Sequence, residues 1–157
     1  MLHERSVIRC YLSTLKDRRR GTDRPICMMK EAVKTGPAPL GLPFSPAVRF
    51  GELLFVSGQG PIDKNGKVIP GDIRAQTKVT LENFKRILES AGSNMDCVLQ
   101  TTVYLRDLVE YSGMNEVYST FFHDPRPART TIQAGDLLFG MKVEVQGMAH
   151  VPEKPKG

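Results

Sequence analysis

The sequence predicts a two-layer α+β domain, a mixed sheet with two helices on one of its faces. Three observations predict it. Residues 73–91 repeat apolar side chains at three- and four-residue steps, residues 108–122 do so again, and residues 141–150 alternate. Before and between these lie β-branched runs bounded by glycine and proline, so the order reads ββ-α-β-α-ββ. Helices interleaved with so few strands bury their apolar stripes on one sheet face.

The first strands are Ala47–Phe50 and Leu53–Ser57, apolar and aromatic runs split by a turn at Gly51-Glu52. Residues 58–71 are rich in glycine and proline and read as loop, with a strong turn signal at Asn65-Gly66. Asp72 suits a helix N-cap, and the apolar side Ile73, Thr77, Leu81, Phe84, Leu88 and Ala91 gives an amphipathic helix. Gly92 then supplies a left-handed stop. Val98–Leu105 is β-branched and reads as a strand. Asp107 can cap a shorter helix, Leu108–Phe122, whose stripe of Leu108, Tyr111, Met114, Val117, Tyr118 and Phe121 reads as core.

Pro125 and Pro127 keep the next approach extended, and the β-branched run Thr130-Thr131-Ile132 continues it as a strand with Arg129 at its mouth. In the last strand, Met141–His150, Val143, Val145, Gly147 and Ala149 share one side, and Lys142, Glu144, Gln146 and Met148 the other. The second sheet face is therefore mixed in polarity, which suits packing against other copies of the chain.

The 157 residues carry a net charge of +5, unevenly placed: residues 1–36 hold nine of the 22 Lys/Arg and four of the 17 Asp/Glu, leaving 13 of each beyond. Residues 1–36 read as a basic, disordered leader, 37–153 as the domain and 154–157 as a tail. The neutral domain gives no bulk electrostatic case for nucleic acid or an anionic membrane. No apolar run reaches the roughly 18–20 residues of a membrane span. Cys10, Cys27 and Cys97 are odd in number and form no CxxC, which fits a reducing, cytoplasmic compartment. The Arg-rich, Ser-containing N-terminus also fits a mitochondrial transit peptide, against which Glu4, Asp17 and Asp23 weigh, or a start site assigned upstream of Met28 or Met29.

For chemistry, Arg129 and Glu144 stand out. If their strands face one cleft, the guanidinium can grip a substrate carboxylate and Glu144 can orient a water as general base; a surface ion pair or a structural salt bridge uses the same residues. Thr131 shares the strand side of Arg129 and can add a hydroxyl. His3, His123 and His150 have no ligand spacing with the cysteines, and neither HExxH, P-loop nor GxGxxG occurs, so no metal or cofactor is expected. Ser57-Gly58-Gln59-Gly60 is not a nucleophile elbow, and it suits a close backbone approach.

These segments together resemble the RidA family, also called YjgF or L-PSP: PLGLPFSPAV (39–48), LLFVSGQGPID (53–63), GDIRAQTKVTLENFKRILESAG (71–92), QTTVYLRDL (100–108), MNEVYSTFF (114–122) and PARTTIQAGDLLFGMKVEVQGMA (127–149). The resemblance implies a chorismate-mutase-like fold and a homotrimer with clefts between subunits. It implies a cofactor-free 2-iminobutanoate/2-iminopropanoate deaminase, which hydrolyses reactive enamines and imines to 2-oxo acids and ammonia. Arg129 then matches the carboxylate-binding arginine and Glu144 the water-positioning glutamate, with Ser57, Gly58 and Asn115 in or beside the cleft. Phe44 stands where many members have tyrosine, Thr131 where many have cysteine, and Gln146 where a second acid is common. The alternatives are a non-catalytic trimer that binds small carboxylates, and an L-PSP-type endoribonuclease or translation inhibitor, against which the neutral domain and the lack of a candidate catalytic histidine argue.

Overall fold

The computed structural model describes residues 30–34 and 43–152. Its second compact unit is Glu31–Gly157 and holds every element below. In chain order these are β1 (Glu31–Ala32), β2 (Ala47–Phe50), β3 (Leu53–Gln59), α1 (Ile73–Ser90), β4 (Val98–Leu105), α2 (Tyr111–Phe121), β5 (Ala128–Gln133) and β6 (Val143–His150). The strands form one sheet in the order β1-β2-β3-β6-β4-β5. Only β4 and β5 run parallel, so the sheet is mixed, as expected. The right order of β4-α2-β5 follows from chemistry: parallel neighbours need a crossover, and α2 supplies it.

The core lies between the helices and one sheet face. Leu81, Phe84 and Leu88 of α1 and Met114 of α2 are fully buried with Leu54, Val103, Leu105, Val143 and Val145. Asp72 caps α1 through its carboxylate, which accepts from the Ala75 amide at 2.9 Å. Asn83, on the buried side of α1, donates to the carbonyls of Gly60 (2.9 Å) and Ile62 (2.8 Å) and so anchors the loop after β3. Gly147 lets β6 pass under α1: a Cβ there would sit 3.0 Å from the Phe84 ring and 2.5 Å from the Gln100 carbonyl oxygen. The alternation read in β6 holds, with Val143, Val145 and Ala149 buried and Glu144 between the two valines on the opposite face.

Four boundaries differ from the sequence reading. Glu31–Ala32, placed in the leader, pairs with Arg49 and Val48 as an edge strand, while residues 1–29 lie outside those described. Strand β3 runs through Gly58 to Gln59, with a break in register between Val56 and Gln59. Asp107 caps a 3-10 turn, Leu108–Glu110, and the α-helix begins at Tyr111. Strand β6 begins at Val143 rather than Met141.

Gly147→Ala should destabilise the folded protein by about 1–3 kcal/mol, the usual cost of overpacking a tight core. Denaturant unfolding checks this, and an unchanged midpoint would show that the β4 backbone at Gln100 and the Phe84 ring both give way freely.

Candidate functional site

Parallel pairing sets Arg129 opposite Thr101 and Thr131 opposite Val103, so both project to the helix-covered side of the sheet. There α2 lies over β5. Tyr118, buried, shares a 2.7 Å hydrogen bond with the buried Thr101 hydroxyl, and its ring stacks on Phe122 with centroids 4.4 Å apart. The Arg129 guanidinium carbon stands 4.5 Å from the centre of the Tyr118 ring, within cation–π range. Its Nη2 donates to the Tyr111 hydroxyl at 3.0 Å. Among the described residues the fork is held by two tyrosines and by no carboxylate, which leaves its remaining N–H groups for a ligand. The Asn115 side chain and then Arg129 hold the Tyr111 phenol below its ordinary pKa, whereas burial pushes the Tyr118 phenol up. Asn115, Tyr118 and Arg129 line one hollow with Ser119, Arg126 and Pro127. Thr131 Oγ1 is buried without a partner.

Glu144 belongs to the other face. It pairs across the sheet with Tyr104, and β4 separates β6 from β5, so one chain does not bring Glu144 and Arg129 into one cleft. Glu144 lies instead against Gly58. A Cβ at Gly58 would overlap its Oε1, so only glycine lets the carboxylate rest on the β3 backbone. Burial raises the Glu144 pKa above the ordinary carboxylate value, because the ionised form loses hydration there. The Ser57 hydroxyl donates to the Ser45 carbonyl at 2.7 Å and the Ser57 amide to the Pro46 carbonyl at 3.0 Å. This fixes the segment carrying the exposed Phe44 beside the end of β3. The irregular register at Ser57–Gly58 bends the strand where it meets Glu144, a frequent position for bulges beside functional groups.

The structure therefore sorts the sequence candidates into two sets: Arg129, Thr131 and Asn115 on one face, and Glu144, Gly58 and Ser57 on the other. The sequence reading assigned Tyr111 and Tyr118 to core and missed their hold on Arg129. Their i, i+7 spacing marks one helix side, and that is the only signal that could have joined them to a strand arginine. Among the described residues no group of three or more His, Cys, Asp and Glu comes together as a metal site. Nor is any helix among them long and apolar enough to cross a membrane.

A single α+β domain with a mixed six-stranded sheet, two helices on one face and a strand-borne arginine beside the crossover helix defines the class. The family model for endoribonuclease L-PSP matches residues 34–151, and the chain belongs to that family, which its relatives' names also call RutC and Rid. A RutC family protein of Pyrococcus horikoshii is 42% identical over 125 residues, covering 78% of this chain and 98% of that one. The 3-aminoacrylate deaminase RutC of Acinetobacter baylyi is 38% identical over 116 residues, 73% of this chain and 91% of its own. The 2-iminobutanoate/2-iminopropanoate deaminase of Mus musculus is 33% identical over 124 residues, 78% and 92%. Among solved structures, the Rid family protein YyfA of Yersinia pestis superposes with a TM-score of 0.74 at 31% identity, covering 78% of this chain and all of that one.

Glu144→Gln tests the burial argument. Glu144 binds its proton more tightly folded than unfolded, so stability is lost as pH rises from the ordinary carboxylate range through the raised folded value. The variant should melt higher than wild type near neutral pH, and the gap should close below the ordinary carboxylate range. A lower melting temperature at neutral pH would mean that the carboxylate is held by a favourable contact instead.

Proposed function

We propose that the protein hydrolyses reactive 2-imino and 2-enamino acids, of the 2-iminobutanoate and 2-iminopropanoate type, to 2-oxo acids and ammonia. The observation that carries this reading is Arg129: a cation held in position by Tyr111 and Tyr118, with the rest of its fork turned to a hollow. Such a fork suits a planar carboxylate, which every 2-imino acid carries beside its C=N carbon. The names of the mouse and Acinetobacter relatives support the same chemistry.

In this reading Arg129 fixes the carboxylate by two charge-assisted bonds. Glu144 takes a proton from a water that attacks the C=N carbon, giving a carbinolamine. The protonated nitrogen leaves as ammonia when the C–N bond breaks and C=O forms, so one imine and one water give one 2-oxo acid and one ammonia. A carboxylate raised in pKa by burial is a stronger base than a solvated one and suits this role. Phe44 contributes a ring without a hydroxyl, and Thr131 a hydroxyl in place of a thiol, so neither supplies a nucleophile here.

Because Arg129 and Glu144 occupy opposite faces of one sheet, the complete site in this reading combines Arg129 of one subunit with Glu144 of the next. The open sheet face supports assembly. Pairing of Val48 with Phe55, Phe50 with Leu53 and Phe55 with Met148 lays an apolar band there. Phe50, Leu53 and Phe55 are 49%, 39% and 42% exposed in the single chain, more than a monomer's sheet usually leaves in one patch. A homotrimer that covers this band and closes three sites is the arrangement we infer. The odd cysteine count fits a reducing, cytoplasmic compartment, and the residues ahead of β1 would carry the same chemistry into a mitochondrion if they act as a transit peptide.

Arg129→Ala should lower kcat/KM for enzymatically generated 2-iminopropanoate by roughly ten- to a hundredfold, the worth of about 1.5–3 kcal/mol of charge-assisted bonding. Semicarbazide trapping of the surviving imine measures it. Full turnover by the variant sinks the mechanism, and wild type that binds 2-oxo acids without accelerating decay makes the protein a binder. Mixing tests the divided site. Arg129→Ala and Glu144→Gln chains, unfolded and reassembled together, should regain about a quarter of wild-type activity, since one interface in four then joins an intact arginine to an intact glutamate. No recovery would place both residues in one subunit's site.

A further inference from the structure

The hollow beside Arg129 holds a second cation that the mechanism leaves unused. Arg126 lines it with Arg129, Asn115, Tyr118, Ser119 and Pro127, and no carboxylate is among these residues. In the single chain the hollow measures about 360 Å³. Pro127 biases the backbone of Arg126 to extended geometry, and Arg126, three residues before Arg129, lines the same hollow. Its one carboxylate partner among the described residues, Asp124, stands 3.6 Å from Nε, and both side chains are exposed, so water screens that pair and a ligand can compete for the Nη groups. Two arginines lining one hollow suit a ligand with two anionic groups.

We propose that this hollow is a second carboxylate subsite and that the protein acts on imines of acidic amino acids, 2-iminodicarboxylates such as 2-iminoglutarate and 2-iminosuccinate. The inference rests on the deaminase reading of the same site. Arg129 binds the carboxylate next to the C=N carbon, and Arg126 binds the distal one. The reaction is unchanged, C=N and water giving C=O and ammonia, and the products are 2-oxodicarboxylates. Arg126 is then a specificity-determining residue: it touches the substrate away from the reacting bond, and its contribution appears in the ratio between substrates.

The test generates 2-iminoglutarate and 2-iminopropanoate with amino-acid oxidases acting on glutamate and alanine, and compares kcat/KM for both in wild type, Arg126→Gln and Arg126→Lys. Wild type should process 2-iminoglutarate at least as well as 2-iminopropanoate. Arg126→Gln should lower the ratio of the two about tenfold, one charge-assisted contact at a partly exposed site, and Arg126→Lys should restore part of it. A ratio equal in wild type and Arg126→Gln overturns the proposal, as does a wild type that hydrolyses 2-iminopropanoate but not 2-iminoglutarate. If wild type hydrolyses neither imine, the deaminase reading fails and equilibrium binding decides the subsite. Tighter binding of 2-oxoglutarate than of 2-oxobutanoate, lost in Arg126→Gln, supports it, and equal binding overturns it.

Discussion

Strand β4 lies between β5 and β6, and this single placement governs the rest of the molecule. Parallel pairing to β5 sends Arg129 to the helix side with Thr101, where the Thr101–Tyr118 hydrogen bond locks the ring beneath the guanidinium. Antiparallel pairing to β6 sends Glu144 to the other side with Tyr104, while Val143 and Val145 fill the core. A shift of one residue in either register would invert a whole strand and bury a charge, so the hydrophobic core itself enforces where both groups point. The positions of the cation and the carboxylate are thus consequences of core packing.

This explains how much could be read from the chain. The elements announce themselves locally: the α1 repeat from Ile73 to Leu88 and the β6 alternation from Val143 to Ala149 each state their buried side. Strand β5 does not, because Arg129, Thr130, Thr131 and Ile132 sit at a sheet edge where exposed and half-exposed residues alternate without a clear apolar side. Its facing is decided by β4, nearly thirty residues earlier, and by Tyr118 from the crossover helix. The two-residue β1 has no period to detect, and the break in β3 arises from what lies across the strand, the Glu144 carboxylate against Gly58. Family resemblance pointed to Arg129 and Glu144 as a pair. Only the sheet order shows that one chain holds them apart.

Several groups gathered here work against stability. Glu144 is half-buried without an ion-pair partner among the described residues, Thr131 Oγ1 is buried and unpaired, and an aromatic and aliphatic band lies open on the sheet. Each costs free energy in the single chain by desolvation or exposed apolar surface. Glu144 and the apolar band lie where a second subunit would reach, and Thr131 lies two residues from Arg129, while the core around Phe84, Leu81 and Val145 is closely packed apart from the unpaired hydroxyls of Thr77 and Thr80. Local inconsistency of this kind, set against consistency elsewhere, is how functional surfaces usually differ from the scaffold that holds them.

The tyrosine cradle also bears on affinity. A free arginine side chain has about 2 kcal/mol of rotamer entropy to lose when it engages a ligand. Tyr118 stacking and the Tyr111 hydrogen bond settle that cost during folding, and they do so without a carboxylate that a substrate would have to displace. A carboxylate partner would hold the fork more tightly and also compete for it. Aromatic support therefore gives a cation that is oriented and still available, which is what a small ligand with few contacts requires. Arg126, exposed and only loosely paired with Asp124, has no such support, so any grip it exerts on a ligand depends more on charge than on fixed geometry. Of the two arginines, Arg129 sets where a carboxylate binds, and Arg126 responds to how much further charge the ligand carries.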